Sequence, residues 1–82
     1  MEIPVAFGLV LKRHRQAAGL SQEALGFEAG LSKNYISLLE TGRRQPTLTS
    51  LLNLARAVRQ APNTLIDDLL AEQQAQAGDQ GG

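Results

Sequence analysis

The fold is decided by the stretch Gln22–Thr41, whose sequence is QEALGFEAGLSKNYISLLET. Ser21, just before it, and Ser32, within it, are favourable N-cap residues, so each predicts the start of a helix. Gly30 lies between the two segments and favours the positive φ that a tight turn requires. The stretch therefore predicts two short helices joined by a turn, over residues 22–29 and 33–41.

Helix signals continue on both sides of this stretch, and no segment predicts a strand. Pro4 suits a first helical turn, Gly19 suits the position after a helix end, and Thr47 caps a further helix. Apolar residues recur at helical spacing throughout. We expect an all-α fold, a compact five-helix bundle with helices at about 4–18, 22–29, 33–41, 48–59 and 63–72. The domain covers residues 1–72, and a flexible tail of Gln, Ala and Gly is expected over residues 73–82.

The composition agrees with packed helices and excludes several classes of protein. Of the 82 residues 43% are hydrophobic and only 4% aromatic, and Leu and Ala dominate the apolar share. This favours helices over sheets. The absence of cysteine excludes disulfides and zinc–thiolate sites. No run approaches the roughly 18 apolar residues of a membrane span, and the N-terminus lacks a signal-peptide pattern. We therefore expect a cytoplasmic protein without membrane association.

The net charge of zero conceals an uneven distribution along the chain. All eight Lys and Arg lie within residues 12–59, and the first sixty residues carry four acids, which gives them a net charge of +4. Residues 61–82 carry four acids and no Lys or Arg, a net charge of −4. A basic body with an acidic end concentrates positive potential where a phosphate backbone can lie.

Gln22–Thr41 resembles the helix-turn-helix of the Xre/Cro/C1-type phage repressor family, and the resemblance covers roughly residues 7–70. Gly26 is a small residue that lets the two helices cross closely, and Gly30 supplies the turn. Five apolar positions lock the pair onto the bundle: Leu25, Ala29, Leu31, Ile36 and Leu39. The segment from Glu40 to Pro46 resembles the family's E-x-G-x-x-x-P junction. The resemblance implies a lambda repressor-like fold and a transcriptional regulator, a repressor or an autoregulator.

In such proteins the second helix of the motif lies in the major groove of double-stranded operator DNA. The base-reading candidates are Lys33, Asn34, Ser37 and Tyr35, with Leu38 depending on the tilt of the helix. Lys33 is suited to guanine, and Asn34 has the paired donor and acceptor that suit adenine. The candidates for contacts to phosphate are Ser21, Gln22, Ser32, Arg43, Arg44 and Gln45.

The resemblance also implies an ion pair between Arg15 and Glu40 that ties the first helix to the end of the third. One reading helix covers only a few base pairs, so such proteins bind palindromic operators as dimers. The last helix carries more apolar surface than one small bundle needs. We expect a homodimer with an isologous interface at Leu65, Ile66, Leu69 and Leu70.

The sequence departs from the family pattern at three places: His14, Phe27 and the pair Arg59-Gln60. Family members often have a glycine and an aliphatic residue where this sequence has Arg59 and Gln60, between the last two helices. The placement of the fifth helix is therefore harder to predict.

No arrangement of residues points to an enzyme. There is one His and no Cys, and the sequence has neither a metal-ligand spacing nor a glycine-rich phosphate loop. We expect no cofactor, no metal and, without an effector domain, no small-molecule ligand. The alternative function is an antitoxin or adaptor module that docks a protein partner through its acidic C-terminal segment. Such a module is expected to bind DNA weakly and without sequence preference.

Overall fold

Five α-helices follow one another with short connections in a computed structural model that describes the backbone of residues 1–81 and the side chains of residues 1–75. They are α1 (Ile3–Ala17), α2 (Gln22–Ala29), α3 (Lys33–Glu40), α4 (Leu48–Ala57) and α5 (Pro62–Gly81). No residue in this range belongs to a strand. The predicted all-α class and the five-helix order are therefore confirmed.

Three helices begin at the predicted hydroxyl caps. The side-chain oxygens of Ser21, Ser32 and Thr47 each accept a hydrogen bond of 3.0 Å from the backbone N–H three residues further along. Each bond satisfies one of the N–H groups that a helix start leaves without an intrahelical partner. These caps fix the beginnings of α2, α3 and α4 by local chemistry alone.

Helix α5 continues to Gly81, beyond the end predicted at residue 72. Its middle is tied to α1, because Arg13 forms an ion pair with Glu72 at 2.5 Å and the Gln73 side chain donates to the Met1 carbonyl oxygen at 2.9 Å. The Gln and Ala residues at positions 74–77 that follow have good helix propensity. The prediction of a tail from residue 73 missed these contacts, and its last residue, 82, lies outside the described residues.

The core receives side chains from all five helices. Helix α1 packs on α3 and α5, and α2 packs on α3 and α4. The largest side chains that are fully buried are Val10, Leu11, Leu25, Ile36, Leu39, Leu54 and Leu65. Full burial of a leucine contributes about 1.5–3 kcal/mol, so this shared core holds the bundle together. Within the described part of the chain, no helix is long and apolar enough to cross a membrane.

Candidate nucleic-acid interface

The turn between α2 and α3 is fixed by two glycines. Gly30 has φ +73°, and the N–H of Leu31 donates to the Gly26 carbonyl oxygen at 2.8 Å. A Cβ atom on Gly26 would lie 2.5 Å from the Leu31 carbonyl oxygen, a separation that real Cβ atoms essentially never show. Only glycine fits at position 26 without a backbone shift, because the backbone of the turn lies directly against α2 there.

Helix α3 presents a polar edge to solvent near its N-terminus. Lys33 and Asn34 are exposed, and Ser37 is half-buried. Ile36 and Leu39 are fully buried on the opposite side of the helix. Asn34, Ser37 and Leu38 share one face by i, i+3, i+4 spacing. Three of the four predicted base-reading residues therefore lie together at the start of one helix.

Tyr35 lies away from this edge. The sequence predicts it among the base-reading residues, but its ring is half-buried and packs against the hydrophobic core. Tyr35 is one helical turn before the buried Leu39 and so shares the inner side of α3. Leu38 takes the outer position next to Asn34, where an apolar side chain can meet a thymine methyl group.

A buried ion pair holds α3 in place. Arg15 Nε donates to Glu40 Oε2 at 2.6 Å, and Arg15 Nη2 donates to Glu40 Oε1 at 3.1 Å. A third guanidinium nitrogen, Nη1, donates to the Leu20 carbonyl oxygen at 2.9 Å. The two side chains are only 12% and 3% exposed. The pair predicted between Arg15 and Glu40 thus links α1 directly to the last turn of α3.

Gln22 joins the same network from the start of α2. Its Nε2 donates to Glu40 Oε1 at 3.1 Å, and its side chain is half-buried. The amide carries two hydrogens, so one remains for a phosphate oxygen. The hydroxyls of Ser21 and Ser32 accept cap hydrogen bonds, and each keeps its own hydrogen to donate. These three side chains lie at the starts of the two motif helices.

The loop after α3 carries two unneutralised arginines. Arg43, Arg44 and Gln45 are all exposed, and neither arginine forms an ion pair with another described residue. The backbone N–H groups of Arg43 and Arg44 both donate to the Leu38 carbonyl oxygen, at 2.9 and 3.3 Å. The start of the loop is therefore anchored to α3 while its charged side chains face solvent.

The predicted dimer interface is corrected by the packing of α5. Leu65 is fully buried and Leu69 is 7% exposed, because both pack in the core of their own chain. Ile66 and Leu70 point outward, with 36% and 53% exposure. The predicted set therefore divides into two core residues, Leu65 and Leu69, and two exposed residues, Ile66 and Leu70.

Three further exposed apolar residues, Ile3, Leu48 and Leu52, lie outside the predicted interface. Ile3, Leu48 and Ile66 line a groove of about 150 Å³ between α1, α4 and α5. Leu52 lies one helical turn after Leu48, and Leu48 itself is 80% exposed. We call this surface the apolar face; it consists of Ile3, Leu48, Leu52, Ile66 and Leu70.

The described residues contain no group of three His, Asp or Glu side chains arranged to hold a metal ion. The exposed edge of α3 and the loop after it offer hydrogen-bond donors and guanidinium charges.

Comparison with known proteins gives the family. A family model described as a helix-turn-helix domain matches residues 6–69. The uncharacterized HTH-type transcriptional regulator y4dJ of Sinorhizobium fredii is 40% identical over 58 residues, which cover 71% of this chain and 75% of that protein. Control protein C.BamHI of Bacillus amyloliquefaciens is 33% identical over 66 residues, which cover 79% of this chain and 82% of that protein.

A solved structure agrees with these relatives. The restriction-modification controller protein C.AhdI from Aeromonas hydrophila superposes with a TM-score of 0.73 and 42% sequence identity, covering 76% of this chain and 94% of that one. The resemblance of Gln22–Thr41 to the Xre/Cro/C1-type motif is thereby confirmed. Because the family model spans most of the sequence, the chain belongs to the helix-turn-helix domain family and is a DNA-binding transcriptional regulator.

Proposed function

We propose that this regulator binds a two-fold symmetric operator as a homodimer, with the start of α3 in the major groove. The observation that carries the proposal is the exposed edge of Lys33, Asn34 and Ser37 on a helix that a buried ion pair holds in place. A base-reading helix must be rigid, because its hydrogen bonds to base edges depend on position and direction. The relatives suggest a small autoregulator, similar to the controller proteins that they include.

Sequence is read in this proposal by three residues of α3. Lys33 donates to the acceptors of guanine, Asn34 pairs with the donor and acceptor of adenine, and Ser37 contacts the next base along the groove. Leu38 replaces Tyr35 as the fourth contact. Each good pairing is worth about 1–3 kcal/mol of discrimination against the wrong base.

Phosphate contacts flank the reading helix on two sides. Ser21, Gln22 and Ser32 donate from the helix starts, where unpaired N–H groups and the helix dipole also favour an anion. Arg43 and Arg44 approach the backbone from the loop, and Gln45 adds an uncharged donor. The arginines supply the salt-dependent part of the affinity, since each neutralised phosphate releases a counterion.

The second copy in this proposal docks on the apolar face. A two-fold interface uses each residue twice, so the face of Ile3, Leu48, Leu52, Ile66 and Leu70 contributes two sets of exposed side chains. Burial of these residues removes apolar surface from water at about 25 cal/mol per Å². Dimerisation then places two copies of α3 in successive major grooves, about 34–36 Å apart.

The adaptor alternative receives less support from the structure. It relies on the acidic C-terminal segment as a docking site, yet Glu72 is bonded to Arg13 and Asp68 lies 2.7 Å from the His14 side chain. Two of the four acids are therefore engaged within the chain.

We also propose that the protein acts without catalysis, and that operator binding keeps it in the cytoplasm at the nucleoid.

The test is a titration of the purified protein against the DNA immediately upstream of its own gene, followed by fluorescence anisotropy at about 0.15 M salt. A scrambled duplex of equal length is the control. We expect the upstream duplex to bind roughly a thousandfold more tightly. Equal, weak and steeply salt-dependent binding to both duplexes would contradict autoregulation and favour the adaptor function.

A further inference from the structure

A second and larger cavity lies at the opposite end of the bundle from the apolar face. Helices α1 and α4 both start at the apolar face, with Ile3 and Leu48, and end at this cavity, with Ala17 and Ala57. Its volume is about 460 Å³, within the range of about 300–1,000 Å³ typical of small-molecule sites. We call it the helix-end cleft; Ala17, Ala18, Leu20, Glu28, Val58 and Arg59 are among its lining residues.

The backbone at Arg59 is unusual among the helix ends. After α1, α3 and α4 the chain closes with the same pair of hydrogen bonds, such as Arg59 N–H to the Arg56 carbonyl at 3.0 Å and Gln60 N–H to the Ala55 carbonyl at 2.9 Å. The residue that adopts positive φ is Gly19 after α1 and Gly42 after α3, with φ +73° and +76°. After α4 it is Arg59, with φ +62°.

Position 59 therefore carries a side chain where the backbone favours glycine. Among the described residues, Arg59 is the one non-glycine with positive φ, a conformation that costs stability through contacts of Cβ. The strained residue lines both the helix-end cleft and an adjoining cavity of about 310 Å³, which Arg56 also lines. A strained conformation at a cavity rim suggests that the guanidinium has a function there.

The cleft combines opposite charges with an apolar floor. Glu28 lines both cavities with Arg59, and neither residue is ion-paired with any residue whose side chain the structure describes. Ala17 and Ala18 are exposed and their small side chains leave the space open, and the half-buried Leu20 supplies the larger apolar surface beside the buried Val58. A ligand that complements the cleft carries an anionic group that pairs with Arg59, a cationic group that pairs with Glu28, and an apolar group.

We propose that the helix-end cleft binds a free α-amino acid with an apolar side chain. Its carboxylate accepts hydrogen bonds from the Arg59 guanidinium, and its ammonium group donates to the Glu28 carboxylate. The side chain packs on the apolar floor. This site departs from the sequence expectation of no small-molecule ligand, and it does not depend on the proposed mode of DNA binding.

The test is a titration of the ¹⁵N-labelled full chain, without DNA, with alanine, valine, leucine, methionine and phenylalanine. We expect saturable shifts of the amide signals of Ala18, Leu20 and Gln60 for at least one of them below about 10 mM, the range of a weak specific ligand. The amide of that amino acid, which lacks the carboxylate, and its N-acetyl derivative, which lacks the ammonium group, should each bind roughly tenfold or more weakly.

The variant Arg59→Gly separates the proposed function of the side chain from its effect on the fold. Glycine relieves the backbone strain, so Tm should rise by roughly 4–8 °C, while the affinity for the amino acid falls roughly tenfold or more. Arg43→Ala, which removes a charge elsewhere, should leave amino-acid binding unchanged. The proposal is overturned if no amino acid shifts the cleft signals, or if Arg59→Gly binds as well as the original chain.

Discussion

Removal of the Arg15 side chain tests how the reading helix is held. Glu40 lies at the end of α3 with only 3% of its side chain exposed, and in Arg15→Ala it loses both guanidinium hydrogen bonds. Gln22 still donates one hydrogen bond to it. A buried carboxylate that has lost its cation is strongly destabilising, and we expect a loss of about 3–5 kcal/mol.

This loss is large relative to the stability of a small domain. At about 0.05–0.15 kcal/mol per residue, a chain of 82 residues has a free energy of unfolding of roughly 4–12 kcal/mol. A loss of 3–5 kcal/mol corresponds to a decrease in Tm of roughly 12–40 °C. The variant should therefore be marginally folded at best near 37 °C.

The assay is thermal and urea unfolding followed by circular dichroism at the helix band. Arg13→Ala is the matched control, since Arg13 lies on the same helix and pairs with Glu72, but 58% of its side chain is exposed. An exposed pair contributes at most about 1 kcal/mol, so this control should unfold close to the original chain. The double variant Arg15→Met with Glu40→Met, which leaves no buried charge, should recover part of the loss. Equal stability of Arg15→Ala and Arg13→Ala would show that the buried pair of Arg15 and Glu40 does not hold α3 in place.

Three further variants test other parts of the molecule. Gly26→Ala should lose about 1–3 kcal/mol in urea unfolding, since its Cβ atom would lie 2.5 Å from the Leu31 carbonyl oxygen; unchanged stability would mean that the α2–α3 contact is looser than described. Leu48→Ala should weaken the dimer roughly a hundredfold in sedimentation equilibrium, because each of two copies loses part of a leucine's burial; an unchanged dimer would place the interface elsewhere. Arg43→Ala should reduce the slope of log K against log salt by about 0.9 without altering the preferred sequence; a changed preference would make Arg43 a base-reading residue.

The features that the sequence predicted correctly depend on local chemistry. Ser21, Ser32 and Thr47 cap helices because each hydroxyl reaches an N–H only three residues away. The turn at Gly30 is equally local, as it depends on the φ preference of a single residue. The start of each motif helix, and with it the exposed edge of α3, was therefore predictable.

The features that the sequence did not predict depend on contacts between residues that are distant along the chain. Helix α5 runs past residue 72 because Glu72 and Gln73 meet Arg13 and Met1, more than fifty positions earlier. Which side of α5 is buried depends on α1, so Leu65 and Ile66 could not be told apart by spacing alone. The departure from glycine at Arg59 was visible in the sequence, but the cleft that it lines needs the ends of three helices.

Selection of binding sequences from a random duplex pool tests whether two copies of α3 read a symmetric operator, and it requires no knowledge of the target gene. We expect one enriched motif with two-fold symmetry, whose half-site centres lie about 10–10.5 base pairs apart, and Asn34→Ala should lose preference at one position in each half. A pool that remains random after several rounds, or an enriched motif without symmetry, would contradict this expectation.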